Sequence, residues 1–125
     1  MNIAQKIRDV WSLSPGFCVL VPVESITFGM TVSEKLPYGI ISSMETWPYS
    51  VTNRGPCGRR WEAVLELHLP SMAAADTIQE EAEDLFIPEN QCSLLSAKME
   101  CLEVNHWKVL LEISAWEQKP FSGLN

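Results

Sequence analysis

The amino-acid sequence predicts an α+β domain, an antiparallel or mixed sheet of four to five strands with two helices packed on one face. Three observations predict it. Residues 60–69 alternate with a period of two, with Trp61, Ala63, Leu65, Leu67 and Leu69 on one side and Glu62, Glu66 and His68 on the other. Residues 71–86 place Ala75, Ile78, Ala82 and Leu85 in one narrow stripe at helical spacing. Two extended runs, 97–104 and 107–115, are separated only by Asn105-His106, the mark of a β-hairpin.

The elements follow in order. Asn2 is placed to cap a helix over about 3–13, in which Ile3, Ile7, Val10 and Trp11 share a face. Ser14-Pro15-Gly16 is expected to stop it. The apolar, β-branched run 17–23 reads as a short strand, and 26–32 as a second extended piece. Leu36-Pro37-Tyr38 introduces a strand at 39–45, with the proline at the entry, where it removes no ladder bond. After the alternating strand, Pro70 ends the run and Ser71 caps the helix that reaches about Phe86. Ile87-Pro88-Glu89-Asn90 breaks that helix ahead of the hairpin. In its second strand Trp107, Val109, Leu111, Ile113 and Ala115 point inward, and Lys108, Glu112 and Ser114 outward. The stretch after Trp116 is polar.

At 125 residues the chain fits one domain, 1–125, with a core of about 2–117 and a tail of 118–125. A hydrophobic fraction of 46% with 20% charged residues is globular composition. Lys6, Arg8 and Asp9 interrupt the apolar residues of the N-terminus, so neither a signal peptide nor a membrane span is expected. Cys18, Cys57, Cys92 and Cys101 form no CxxC pair, which argues against a zinc ribbon or dense disulfide framework and for a reducing setting. A net charge of -7 disfavours wrapping of nucleic acid, which depends on Lys and Arg neutralising phosphates. An acidic wall suits a surface that DNA slides past.

No catalytic, metal or cofactor pattern emerges. His68 and His106 belong to no HExxH or Cys/His spacing and are read as solvated or hydrogen-bonded. Ser42, Ser43 and Cys57 lack the surroundings of a nucleophile. The stretch 54–60 has glycines but no GKS or GKT, and Pro56 removes an amide donor. It is instead the one cationic cluster of an acidic chain: Trp47, Tyr49, Arg54, Arg59 and Arg60 lie close together in a long connection between strands. Long connections are often functional, and Trp, Tyr and Arg are enriched at interface hot spots. This predicts a docking arm; the alternative is a solvated hairpin tip whose Trp47 folds back on the core. The helix after Ser71 carries Asp76, Glu80, Glu81, Glu83 and Asp84, with Glu89 just beyond and no Lys or Arg between Ser71 and Glu89. That face is solvated, lines a lumen, or meets the arm of a neighbouring copy. Trp61 and Trp107 are expected in the core, whereas Trp116 has the opposite parity and is an exposed anchor or an edge cover.

Taken in order, the opening helix with Ile3, Ile7 and Trp11, the Leu36-Pro37-Tyr38 entry into Gly39-Ile40-Ile41 and the long loop resemble the tail-terminator and tail-completion (neck) proteins of long-tailed bacteriophages. The strand 61–69 feeding the helix with Ala74, Ala75, Ile78, Ala82 and Leu85, then the closing hairpin, complete a likeness spanning about 2–117. The resemblance implies a non-enzymatic virion protein without cofactors, assembled in the host cytoplasm into a ring of the tail or neck. That ring, a hexamer in this reading, terminates the tail tube and joins it to the head-neck connector. Its partners would be its own copies, the tail tube protein and the connector protein, with DNA passing through without specific binding. The alternative is a monomeric acidic binding or adaptor module of the immunity-protein kind.

Overall fold

The computed structural model describes residues 3–29, 35–49 and 58–118, with side chains described for all of these except 43, 44, 46–49, 58, 59, 117 and 118. Among the described residues the order is α1 (Ile3–Trp11), α2 (Pro15–Leu20), β1 (Ile26–Phe28), β2 (Tyr38–Tyr49), β3 (Gly58–Leu69), α3 (Met72–Leu85), β4 (Cys92–Glu103) and β5 (His106–Gln118). The strands form one five-stranded mixed sheet in the order β1-β2-β3-β5-β4. Only β1 runs parallel to its neighbour β2; the other pairs are antiparallel. The expected α+β class is the observed one.

Ile3, Ile7, Val10 and Trp11 of α1 are all buried, as their spacing requires. Asn2, its expected cap, lies outside the described residues. The run 17–23 is not a strand. Ser14 accepts a hydrogen bond from the Phe17 amide and Pro15 occupies the first turn, so Ser-Pro opens a new short helix instead of only closing the previous one. Its Phe17 packs against Trp11 with ring centroids 4.7 Å apart, and Trp11 Nε1–H donates to the Val21 carbonyl at 2.9 Å. The buried indole therefore leaves no polar group unsatisfied. Of the extended piece expected at 26–32, only Ile26–Phe28 is a strand, and residues 30–34 lie outside the described part.

β2 extends past the expected end at 45 to Tyr49. The Leu36–Pro37 peptide is cis. Gly39 sits where β1, β2 and β3 crowd together: a Cβ there would lie 2.9 Å from Leu67 Cδ2 and 3.2 Å from Ile26 Cγ1. The alternation of β3 is reproduced in the burial, with Trp61, Ala63, Leu65, Leu67 and Leu69 inside. Ser71 caps α3 by accepting from the Ala74 amide at 3.2 Å. α3 buries Ala75, Ile78 and Ala82, the expected stripe, while Leu85 is half-buried. The closing hairpin turns at Val104-Asn105, with Asn105 in the left-handed region (φ 61°), so His106 is the first residue of β5 and not part of the turn.

Strand pairing makes one continuous hydrophobic layer. Leu65 faces Leu111, Leu67 faces Val109 and Ala63 faces Ile113 across β3 and β5. The buried side chains of α1, α2 and α3 join these residues in a single core on that face of the sheet. Among the described residues, the other face carries no helix. Along the free edge, β4 has register shifts between Leu94 and Ser96 and between Cys101 and Glu103. Among the described residues, no helix is long and apolar enough to cross a membrane.

Candidate functional site

Most of the expected docking arm lies on strands. Trp47 pairs with Arg60, Pro48 with Arg59 and Tyr49 with Gly58, so four of the five arm residues belong to a β2–β3 hairpin and not to a long loop. Arg54 lies outside the described residues. Arg60 is held on the helix-free face: Nη2 contacts Glu62 Oε2 at 2.8 Å and Nε donates to Ser114 Oγ at 2.9 Å. Ser114 is otherwise buried, so Arg60 satisfies its hydroxyl.

The acidic set divides by exposure. Glu80, Glu81, Glu83 and Asp84 on α3 are exposed, as is Glu89 in the short turn that follows, whereas Asp76 is half-buried. Among the described residues no ion pair reaches any of the six. Within the chain, the arm's described cation is thus engaged by β3 and β5, and the acidic helix stands apart from it. Glu81 and Asp84 share a shallow groove with Leu13, Ser14, Pro15, Phe17 and Leu85 where the start of α2 meets α3.

A constellation that the sequence did not reveal sits at the far end of the helix-free face. His68 Nε2 lies 2.6 Å from Glu66 Oε2, and His68 Nδ1 lies 2.8 Å from His106 Nε2. Tyr38 stacks on His68 with centroids 4.6 Å apart and 15° between planes. With Nε2–H donating to the carboxylate, Nδ1 of a neutral His68 accepts from His106 Nε2–H, a chain that meets the hydrogen-bonding needs of a buried imidazole. Both histidines are hydrogen-bonded, as expected, but His68 is only 7% exposed despite its position on the polar side of β3. Aligning β3 with β5 would have found the pair: Leu69 faces Trp107, which sets His68 and His106 on the same face, diagonal to one another. No group of three or more His, Cys, Asp or Glu among the described residues could hold a metal ion.

Trp116 faces the helix-free side opposite Arg60 and is half-buried, lining a groove with Arg60, Ser93, Leu95 and Ser114. Trp61 is buried in the core and Trp107 packs against it. Cys18, Cys92 and Cys101 are free thiols; Cys92 is buried, and desolvation pushes its thiol above the usual range, partly offset by the Lys6 charge. Cys57 lies outside the described residues.

The fold occurs in a virus-like particle. A chain of a solved structure described as the virion of a native gene transfer agent particle superposes with a TM-score of 0.63. The match covers 90% of this chain and 91% of the other, at 12% sequence identity. At that identity the likeness is one of fold. No protein-family model matches the sequence. No curated protein matches it.

Proposed function

We propose that this chain is a virion structural protein that works by assembly and without bond chemistry, as a ring that ends the tail tube and joins it to the head-neck connector. The observation that carries this reading is the shared architecture with a gene-transfer-agent virion chain over nearly the full length of both. The surface supports it. A strand-borne arm with Trp47, Tyr49, Arg59 and Arg60 at one end of the sheet, and an acidic helix with no ion pair among the described residues, are complementary charges presented on one subunit. Head-to-tail contacts of that kind close into rings when the rotation permits.

In this reading the partners are further copies of the chain, six to a ring, together with the tail tube protein and the connector protein. The carboxylates of α3 either meet that arm or line the lumen, where they repel phosphates so that DNA passes without being held. No cofactor takes part, and the place of work is the tail or neck of the virion. Negative-stain imaging and mass photometry of the purified protein, alone and with tail tubes, test it. Rings, or end-caps on tubes, are expected. A protein that stays monomeric with tubes present and instead binds a basic partner one to one would replace this reading with that of an acidic adaptor module.

A further inference from the structure

Where α2 meets α3, exposed apolar side chains and unpaired carboxylates border a common hollow. Residues 10–23 hold no charged side chain, yet they are not all interior. Leu13 is 61% and Val19 82% exposed, and Pro15 and Gly16 are exposed as well. Leu13, Pro15, Phe17 and Leu85 make the apolar lining of a groove of about 360 Å³, and Glu81 and Asp84 its charged lining. Phe17 and Leu85 are covered in part by the fold itself, whereas Leu13 and Pro15 stand out into water. Glu81 and Asp84 are three positions apart, neighbours on the helix surface, and no described ion pair reaches either. Apolar surface held in water beside uncompensated like charge is what a partner of matching chemistry relieves.

We infer that this groove seats a protein other than this chain, through a segment that presents Lys or Arg on either side of an apolar side chain. The inference rests on the assembly reading above and supplies a surface by which the assembly holds a different protein. Charge argues for this occupant. No Lys or Arg occurs in 9–29 or 61–97, the two stretches that build the groove and its surroundings, so the negative potential extends beyond Glu81 and Asp84. Phosphates are repelled there, and a purely cationic segment would leave the apolar lining unmatched. A second copy is poorly equipped to answer it, because each copy brings a net charge of -7. Six cations have described side chains, and four are engaged within the chain: Lys6 with Gln91, Lys108 with Glu100, Arg60 with Glu62 and Ser114, and Lys35 likewise. Of the other two, Arg8 is half-buried with its Nε enclosed, and Lys98 is a single exposed cation on β4, two residues from Glu100.

The open face of the sheet is the weaker candidate for such a partner. It carries acids too, with Glu45 directly opposite Glu62. Arg60, Lys98 and Lys108 stand among them on the same face, so its charge is mixed and selects no sign of partner. The α2–α3 groove combines an apolar centre with a rim of one sign. Glu80 and Glu83, which do not line it, remain for the arm or the lumen.

The test uses the full chain and two synthetic peptides, Lys-Leu-Lys-Lys-Leu-Lys and its analogue Lys-Ser-Lys-Lys-Ser-Lys, followed by NMR amide shifts. The leucine peptide should bind saturably, move the signals of Leu13, Phe17, Glu81 and Leu85, and bind at least about tenfold more tightly than the serine peptide. Glu81→Lys with Asp84→Lys should abolish that binding. Glu80→Lys with Glu83→Lys, the same charge change on the same helix outside the groove, should keep most of it. Leu13→Ser with Val19→Ser should erase the advantage of leucine over serine, and both positions are exposed, where substitution leaves the fold intact. Equal binding of the two peptides, or equal loss in the two charge variants, overturns the groove and leaves a solvated acidic face. Sedimentation velocity of the same variants separates this inference from the reading it rests on. If Glu81→Lys with Asp84→Lys stops the chain from assembling with itself, the occupant is a second copy, and the inference is wrong while the assembly reading stands. If the peptide binds as expected but the wild type never assembles, alone or on tail tubes, the assembly reading falls and the groove keeps its ligand chemistry.

Discussion

β3 and β5 present two faces built from the same backbone, one register step apart, and the two have opposite character. Leu65, Leu67, Leu111 and Ile113 are fully enclosed against the helices, whereas Val64, Glu66, Leu110 and Glu112 on the reverse are only half-covered. The difference teaches where each property resides. Apolar burial contributes about 25 cal/mol for each Å² removed from water, so folding free energy is concentrated on the helix side. The reverse side contributes little to holding the fold together and is free to carry charge and a groove. A one-residue slip of register would exchange the two, which is why the strict alternation of β3 fixes both at once.

Substitutions at paired positions probe that contrast, and the largest effect belongs to the enclosed side. Leu111→Ala removes a fully buried side chain and should cost about 2–5 kcal/mol in urea denaturation. A loss below about 1 kcal/mol there would break the comparison. The exception on the open face is His68, buried with Glu66 and His106 as partners. His68→Ala strands both of them and should cost about 1–3 kcal/mol, read by the same denaturation. Cys92 and Cys101 sharpen the contrast chemically. With the Cys92 thiol held protonated by burial, its contribution is complete below the ordinary thiol pKa and is lost as pH rises through its raised folded value. Denaturation midpoints measured from about pH 8 to about pH 10.5 should fall less steeply in Cys92→Ala, while at the lower pH a thiol reagent should label the exposed Cys101 first. Smallest of all, Leu110→Ala sits beside Leu111 but faces the open side and should change stability by less than about 1 kcal/mol, measured alongside Leu111→Ala.

The long periodic elements were legible in the sequence because burial imposes their period. Trp61 to Leu69, the Ala75-Ile78-Ala82 stripe and the inward set of β5 each had enough repeats to distinguish a period of two from one of 3.6. α2 is not legible as a helix because six residues complete less than two helical turns, too few for a period, and β-branched Val19 and Val21 then favour the strand reading. The decisive signal was local: Ser14 ahead of Pro15 is a helix start as much as a helix stop. The site was less legible than the fold. Arm and acidic helix were visible as composition, but the Glu45–Glu62 opposition and the His68–His106 pair join residues 17 and 38 positions apart that only strand register brings together.

The two bulges of β4 bear on how copies of this chain avoid joining in the wrong way. Among the described residues β4 is the long border of the sheet, twelve residues of strand with a strand partner on one side only, and such a border is a template for recruiting further strands. Shifts at Leu94/Ser96 and Cys101/Glu103 divide it into short runs that fall out of step with any straight incoming strand. The opposite border, β1, is three residues long. A sheet blunted at both borders does not lengthen into a fibre by accretion. Copies of the chain are thereby turned away from joining border to border.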